Sequence, residues 1–301
     1  MRYIQKEKDE DGNIIEPETL TKWKKEEQET LNNWSNNPVM TGTKMWNAKS
    51  IKKQELKSIK EALLENQGYI CCYCGSKILN DHNTRIEHVN PKSKEEYKQQ
   101  TFDYGNLLAS CQGGTKNIIH KVEEGETSES IAQSYDVSVE FLEEVYVTTE
   151  NLEKITKDYD LDDLQIGDKI LITPKAAKQQ QHCDNRKGSN EIEVTPLQED
   201  CAEKFTYNKG KLNGSIKATN QKAIDAIKIL GLNDSKPLKL RRADIINKSV
   251  NLLKELITAY PNEIELQKAI NTFITDYNTP NSITKKLEPY CFVSISILQG
   301  N

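Results

Sequence analysis

Gly68-Tyr69-Ile70-Cys71-Cys72-Tyr73-Cys74 is the stretch on which the reading of this chain turns. Cys71 and Cys74 form a C-x-x-C pair, and two thiolates at this spacing close on one tetrahedral ion through a tight turn, with zinc–sulfur distances near ~2.3 Å. A pair alone is half a site, and a redox dithiol has the same spacing. Thirty-six residues separate Cys74 from Cys111, and seventy-one separate Cys111 from Cys183. The second gap is too long for a compact zinc loop. Excising residues 118–177 leaves eleven residues between Cys111 and Cys183, so a four-thiolate site and an inserted folding unit imply each other.

Charge marks the same insertion. Residues 120–174 carry fifteen acidic and four basic side chains, a net of −11, while the rest of the chain carries 37 basic and 31 acidic, a net of +6. The overall charge of −5 averages two unlike segments, and such contrast points to separate folding units. Gln112-Gly113-Gly114-Thr115-Lys116-Asn117 precedes the block as a loop, and Lys175-Ala176-Ala177-Lys178-Gln179-Gln180-Gln181 follows it as a short low-complexity linker. The expected organisation is 1–117, an insertion over 118–177, and 178–301.

Within the 301 residues no run approaches the roughly 18–20 apolar residues that span a bilayer, which excludes an integral membrane protein built of helices. The start Met1-Arg2-Tyr3-Ile4-Gln5-Lys6 has no apolar signal region. The expectation is a cytoplasmic chain with no membrane partner, in which seven cysteines serve metal or chemistry rather than disulfides.

Leu56, Ile59 and Leu63 place an apolar stripe on a helix of about 52–66, and further helices are expected at about 218–230, 239–258 and 263–277. Tyr290-Cys291-Phe292-Val293-Ser294-Ile295-Ser296-Ile297 reads as a strand. Inside the insertion the order is strand, helix, helix, strand: Lys121-Val122, then Ile131, Ala132 and Tyr135, then Val139, Leu142 and Val145, then Lys169-Ile170-Leu171-Ile172. His120-Lys121-Val122-Glu123-Glu124-Gly125-Glu126-Thr127, Ser130-Ile131-Ala132, Val137-Ser138 and Leu164 to Pro174 resemble a LysM module. The segment at Val145-Tyr146 and the longer 147–161 stretch depart from it.

Between the cysteine pairs lies Arg85-Ile86-Glu87-His88-Val89-Asn90-Pro91-Lys92-Ser93. An imidazole that titrates near neutrality can take a proton from water, and Glu87 offers a hard oxygen of the kind Mg2+ prefers. The reading expects a strand that aims His88 at solvent, and a lone Glu-His pair is otherwise a surface contact. Here it is followed by Asp103-Tyr104-Gly105-Asn106-Leu107 and by His182-Cys183-Asp184-Asn185-Arg186-Lys187-Gly188. In this order the motifs resemble an HNH (ββα-metal) endonuclease, and more narrowly the PtuB-like HNH subunit of Septu and retron anti-phage systems. The likeness covers about 1–117 and 178–260.

That resemblance implies an α+β protein: a ββα-metal core with a four-cysteine structural zinc site at Cys71, Cys74, Cys111 and Cys183, embedded in helices, with a βααβ LysM-like insertion. It implies His88 as general base, Glu87 with Asp184 or Asn185 holding a catalytic Mg2+ or Mn2+, and Asn106 fixing the loop and orienting His88. Lys187 and Lys92 are expected at the substrate backbone. Nucleic acid, DNA ahead of RNA, is the implied substrate, and an ATPase subunit of the PtuA type the implied partner. His82 is expected in an exposed turn and His120 in a structural role. His182 is open between structure and chemistry, and Cys72, Cys201 and Cys291 are expected as ordinary thiols. Trp23, Trp34 and Trp46 are expected in a small core or an interface. A second reading from another class is a non-catalytic zinc-stabilised adaptor whose insertion binds a partner or a glycan.

Overall fold

The computed structural model describes residues 1–81, 83–113, 118–134, 146–148, 169–172, 181–207 and 214–300. Its contacts divide the chain into one unit of Met1–Gln112 with His182–Asn301, and a second of Gly113–Gln181. Both mix helices with small antiparallel sheets.

The larger unit opens with α1 (Glu18–Glu26), α2 (Gln28–Asn36), α3 (Gly42–Ala48) and α4 (Lys53–Gln67). In α4 the stripe read from sequence faces inward, with Ile59, Leu63 and Leu64 buried. The Glu55 carboxylate accepts from the Lys52 N–H at 2.7 Å, satisfying one of the free donors at the helix start. Gly68 ends the helix in the left-handed conformation, at φ 65, which a side chain would resist. Gln67 then joins three elements. Its Nε2 donates to the carbonyls of Ile70 and Ala109, and its Oε1 accepts from the Ala109 N–H.

β1 (Thr84–His88) pairs antiparallel with β2 (Leu107–Cys111), placing Glu87 opposite Leu108 and His88 opposite Leu107. β2 is apolar and buried along Leu107, Leu108 and Ala109, and truncating either leucine to alanine would cost about 2–5 kcal/mol.

In the smaller unit β3 (Ile118–Lys121), α5 (Ser128–Ser134), β4 (Tyr146–Thr148) and β5 (Lys169–Ile172) are described. Its three strands run antiparallel in the order β3-β5-β4. The sequence pattern implies two strands; β4 is a third, in the segment that departs from the LysM pattern. The second helix expected around Val139, Leu142 and Val145 lies outside the described residues.

The larger unit resumes with α6 (Cys183–Lys187), β6 (Phe205–Tyr207), β7 (Ile216–Ala218), α7 (Gln221–Ile229), α8 (Lys236–Ala259), α9 (Glu263–Asn278) and α10 (Cys291–Leu298). α7, α8 and α9 match the sequence expectation, and Asn220, Ser235 and Asn262 cap them with side-chain oxygens. α10 corrects it. The run at 290–297, expected as a strand, is a helix with seven of its eight residues buried. Period-two alternation of Val293, Ile295 and Ile297 with serines imitates a strand, but a helix sealed on every side has no polar face to betray its period. Among the described residues no helix is long and apolar enough to cross a membrane.

Candidate functional site

The chain reverses between Ile70 and Lys77. Cys71 N–H donates to the Ser76 carbonyl at 2.8 Å, and Gly75 N–H donates back to the Cys71 carbonyl at 3.0 Å. This turn projects the Cys71 and Cys74 sulfurs to one side. β2 delivers Cys111, α6 delivers Cys183, and the four sulfurs lie within 4.8 Å of one another. The Cys71–Cys183 and Cys74–Cys111 separations are 3.8 and 3.7 Å. A tetrahedron with zinc–sulfur bonds of about 2.3 Å has edges of roughly 3.8 Å, so the cluster has the dimensions of a four-thiolate site and could bind a metal ion such as zinc. The Cys111 N–H points at Cys71 Sγ at 3.3 Å. Burial opposes ionisation of Cys74, yet bonds from the Cys111 and Cys183 thiols pull it down to about 6. Cys183 is pushed up by burial and by its neighbours. Sulfurs this close cannot all ionise without a cation among them.

Cys183 enters α6 at φ 55, a conformation that costs a non-glycine residue about 1 kcal/mol or more. Its N–H is held by the Leu230 carbonyl at 2.9 Å. This entry turns the next residue, Asp184, toward Glu87. Both line a cleft of about 410 Å³ together with Thr43, His88, Lys92 and Asn185. Burial, then the bond its protonated form donates to Glu87 and the charge of that carboxylate, push the Asp184 carboxyl up to about 8. Two carboxyl groups in contact in a poorly solvated place share a proton or a cation.

Glu87 is only 4 % exposed, and its Oε1 accepts from Tyr73 Oη at 3.0 Å and from Lys187 Nζ at 2.8 Å. Here the sequence expectation needs correcting. Lys187 is not a solvated contact for substrate: it is 1 % exposed and donates to the His88 carbonyl at 2.9 Å as well. The α6 helix turns its fifth residue inward, so the charge goes to Glu87. A carboxylate held beneath the cleft needs such a cation.

His88 is likewise not aimed at open solvent; it is 4 % exposed and reaches only the cleft. Its Nε2 lies 3.0 Å from the Thr101 carbonyl. A carbonyl can only accept, so Nε2 carries the proton and the lone pair is at Nδ1. Trp46 meets the ring edge-on, with centroids 4.6 Å apart. Burial, then the charges of Lys92 and its neighbours, push the imidazole down to about 3, so it is neutral at physiological pH.

Asn106 acts on the loop rather than on the ring. Its Oδ1 accepts from the Asn90 N–H at 2.7 Å, and its Nδ2 donates to the Asn90 and Gln100 carbonyls. Lys92 is half-buried at the cleft wall, its Nζ 3.3 Å from His88 Nδ1. Asn185 is exposed, its N–H bound to the Gln112 carbonyl at 3.1 Å. His182 sits beside the sulfurs, Nδ1 3.1 Å from Cys183 Sγ. Cys72, Cys201 and Cys291 are buried, Trp23 packs on Phe102, and Trp34 is partly buried against the same core. His82 lies outside the described residues, and of His120 only its place on β3 is described.

Sequence reading missed Tyr73, Thr101 and Gly42. Tyr73 had one available signal, its place between the paired cysteines. Thr101 works through a backbone carbonyl, which no residue type announces. Gly42 matters by absence: a Cβ there would overlap the Lys92 carbonyl and fall 2.5 Å from Thr101 Oγ1. No family model matches the chain, and no curated protein is significantly similar to it.

Proposed function

We propose that this chain is a metal-dependent endonuclease of the HNH type, its structural zinc held by Cys71, Cys74, Cys111 and Cys183. One observation carries the reading: the Nδ1 lone pair of His88, met there by Lys92, faces the same cleft as the Glu87 and Asp184 carboxyl groups. A base and a hard cation site on one wall are what hydrolysis of a phosphodiester asks for.

In this reading β1, β2 and α6 form the ββα core. Glu87 and Asp184, with Asn185 as the alternative ligand, would hold Mg2+ or Mn2+, which when bound neutralises charge on the phosphate under attack. His88 takes the proton from the attacking water at Nδ1, while the Thr101 carbonyl keeps the other nitrogen protonated. Lys187 and Tyr73 fix Glu87 from below, and Asn106 fixes the loop that follows β1. DNA is favoured over RNA on the resemblance alone. The same resemblance supports a PtuA-type ATPase subunit as partner, a defence role and a LysM-like insertion. Co-purification with the product of the neighbouring gene tests the partner.

The deciding experiment incubates the purified chain, alone and with that ATPase, with DNA and RNA in Mg2+. Cleavage is expected to vanish in His88→Ala while bound zinc stays near one per chain. A second reading is favoured by the fact that Lys187 already neutralises Glu87 internally, as in a purely structural ion pair. A zinc-stabilised adaptor would cleave nothing with any divalent metal.

A further inference from the structure

His88 presents a single lone pair, at Nδ1, and Lys92 occupies it. The ammonium sits 3.3 Å from Nδ1, and among the described residues this is its hydrogen bond. Its other flank is the Trp46 ring, 5.8 Å from Nζ to centroid. An ammonium has three donors, so Lys92 keeps donors free toward the cleft that Glu87, Asp184 and Ser93 also line.

A water molecule about to lose its proton must stand within roughly 2.6–3.2 Å of Nδ1. Lys92 stands in that place. The backbone holds it there. Pro91 and Lys94 close a turn through the Lys94 N–H to Pro91 carbonyl bond at 3.0 Å, and α3 packs on the Lys92 carbonyl at Gly42. The aliphatic stem has no such tether, and a neutral imidazole is a weak competitor for an ammonium. A phosphodiester oxygen carries negative charge, so the ammonium gains a Coulomb attraction there that a neutral ring nitrogen does not offer.

We propose that Lys92 is a removable cap on the base: it fills the Nδ1 position of His88 in the anion-free cleft and transfers to a backbone phosphate oxygen when nucleic acid enters. The site for water is thereby cleared by the substrate itself. Lys92 is in this account a positioning residue for His88 before binding and a phosphate contact after it. The inference rests on the nuclease reading for the identity of the anion, and on geometry alone for the cap.

Imidazole 15N spectroscopy of the full chain tests it, with a short DNA duplex as probe and no divalent cation present. In the protein alone the His88 Nδ1 signal should lie upfield, as for a nitrogen accepting from a cation. Lys92→Met should move it downfield toward a water-solvated imidazole while Nε2, still bonded to Thr101, stays put. DNA should move the wild-type Nδ1 the same way and leave Lys92→Met unmoved. An Nδ1 signal identical in the two proteins overturns the cap. A wild-type Nδ1 that does not respond while fluorescence anisotropy shows the duplex bound overturns the transfer. A duplex that binds neither protein removes the transfer together with the nuclease reading, and the comparison without DNA still decides whether Lys92 caps the ring. The wild-type titration stands even if the variant misfolds, since a collapsed site would displace Nε2 as well.

Discussion

Lys187 Nζ stands 2.8 Å from Glu87 Oε1, with side chains 1 % and 5 % exposed. The pair ties the short helix α6 to β1 beneath the cleft. Removing one member strands a buried charge, which costs about 3–5 kcal/mol. Lys187→Met should therefore lower the urea midpoint strongly. The double variant Glu87→Gln with Lys187→Met should recover most of that loss, since neither partner is then left uncompensated. Equal stability of the single and double variants would show that the ion pair does not hold α6 in place.

Metal removal should act on the same helix. Cys183 is both a sulfur of the cluster and the left-handed entry residue of α6. An ion bound there would offset the strain of that entry and the crowding of four sulfurs. A strong chelator should lower the melting temperature and release close to one zinc per chain, measured by atomic emission. Cys111→Ser should reproduce the loss without chelator. A purified protein that carries no metal and melts identically with and without chelator would retire the zinc assignment.

How much of this could be read from the chain itself follows from what each signal depends on. Cys71 and Cys74 are legible because C-x-x-C spacing is a local code, and the charge break at residues 120–174 shows where to cut the chain to bring Cys183 near Cys111. The helices α4, α7, α8 and α9 were legible because each keeps a polar face. α10 was not, since Cys291–Leu298 is buried nearly all round and its serines mimic a strand. At the site, Glu87, His88 and Asp184 are legible as residue types, but the burial of His88 is not. The inward turn of Lys187, expected at the substrate backbone, is not legible because sequence cannot say which side of a five-residue helix turns inward. Thr101 left no trace, as its contribution is a carbonyl oxygen.

Gly42 offers a test of positioning without touching any reacting group. A Cβ at this position would run into the Lys92 carbonyl and the Thr101 hydroxyl, and these two residues contact the two ring nitrogens of His88. Gly42→Ala overpacks this junction, which typically costs about 1–3 kcal/mol. Both His88 nitrogen signals should shift, and any cleavage should fall by more than the loss in stability explains. A variant with native His88 signals would mean that α3 yields at no cost to the ring.

Lys6 gives the fold a pH dependence that is separate from the four cysteines and from the Glu87–Asp184 cleft. Its Nζ donates to the Leu107 carbonyl at 2.8 Å and lies 3.9 Å from the centre of the Tyr104 ring. Burial nonetheless pushes the ammonium down to about 7 from its ordinary 10.5. Between those values the unfolded chain binds the proton that the folded chain has released, so stability rises with pH. Below the lower value both states are charged and the penalty of burying the ammonium is felt in full. Replacing Lys6 with methionine removes the titration. The stability of Lys6→Met relative to wild type should be greatest at about pH 6 and should decline by about 1.4 kcal/mol per pH unit between roughly pH 7 and 10. Urea denaturation of both proteins across that range measures it. The loss of the Leu107 hydrogen bond offsets the two curves by a constant and leaves their changing separation intact. Parallel curves would mean that Lys6 stays charged in the folded protein, held so by the carbonyl and the ring.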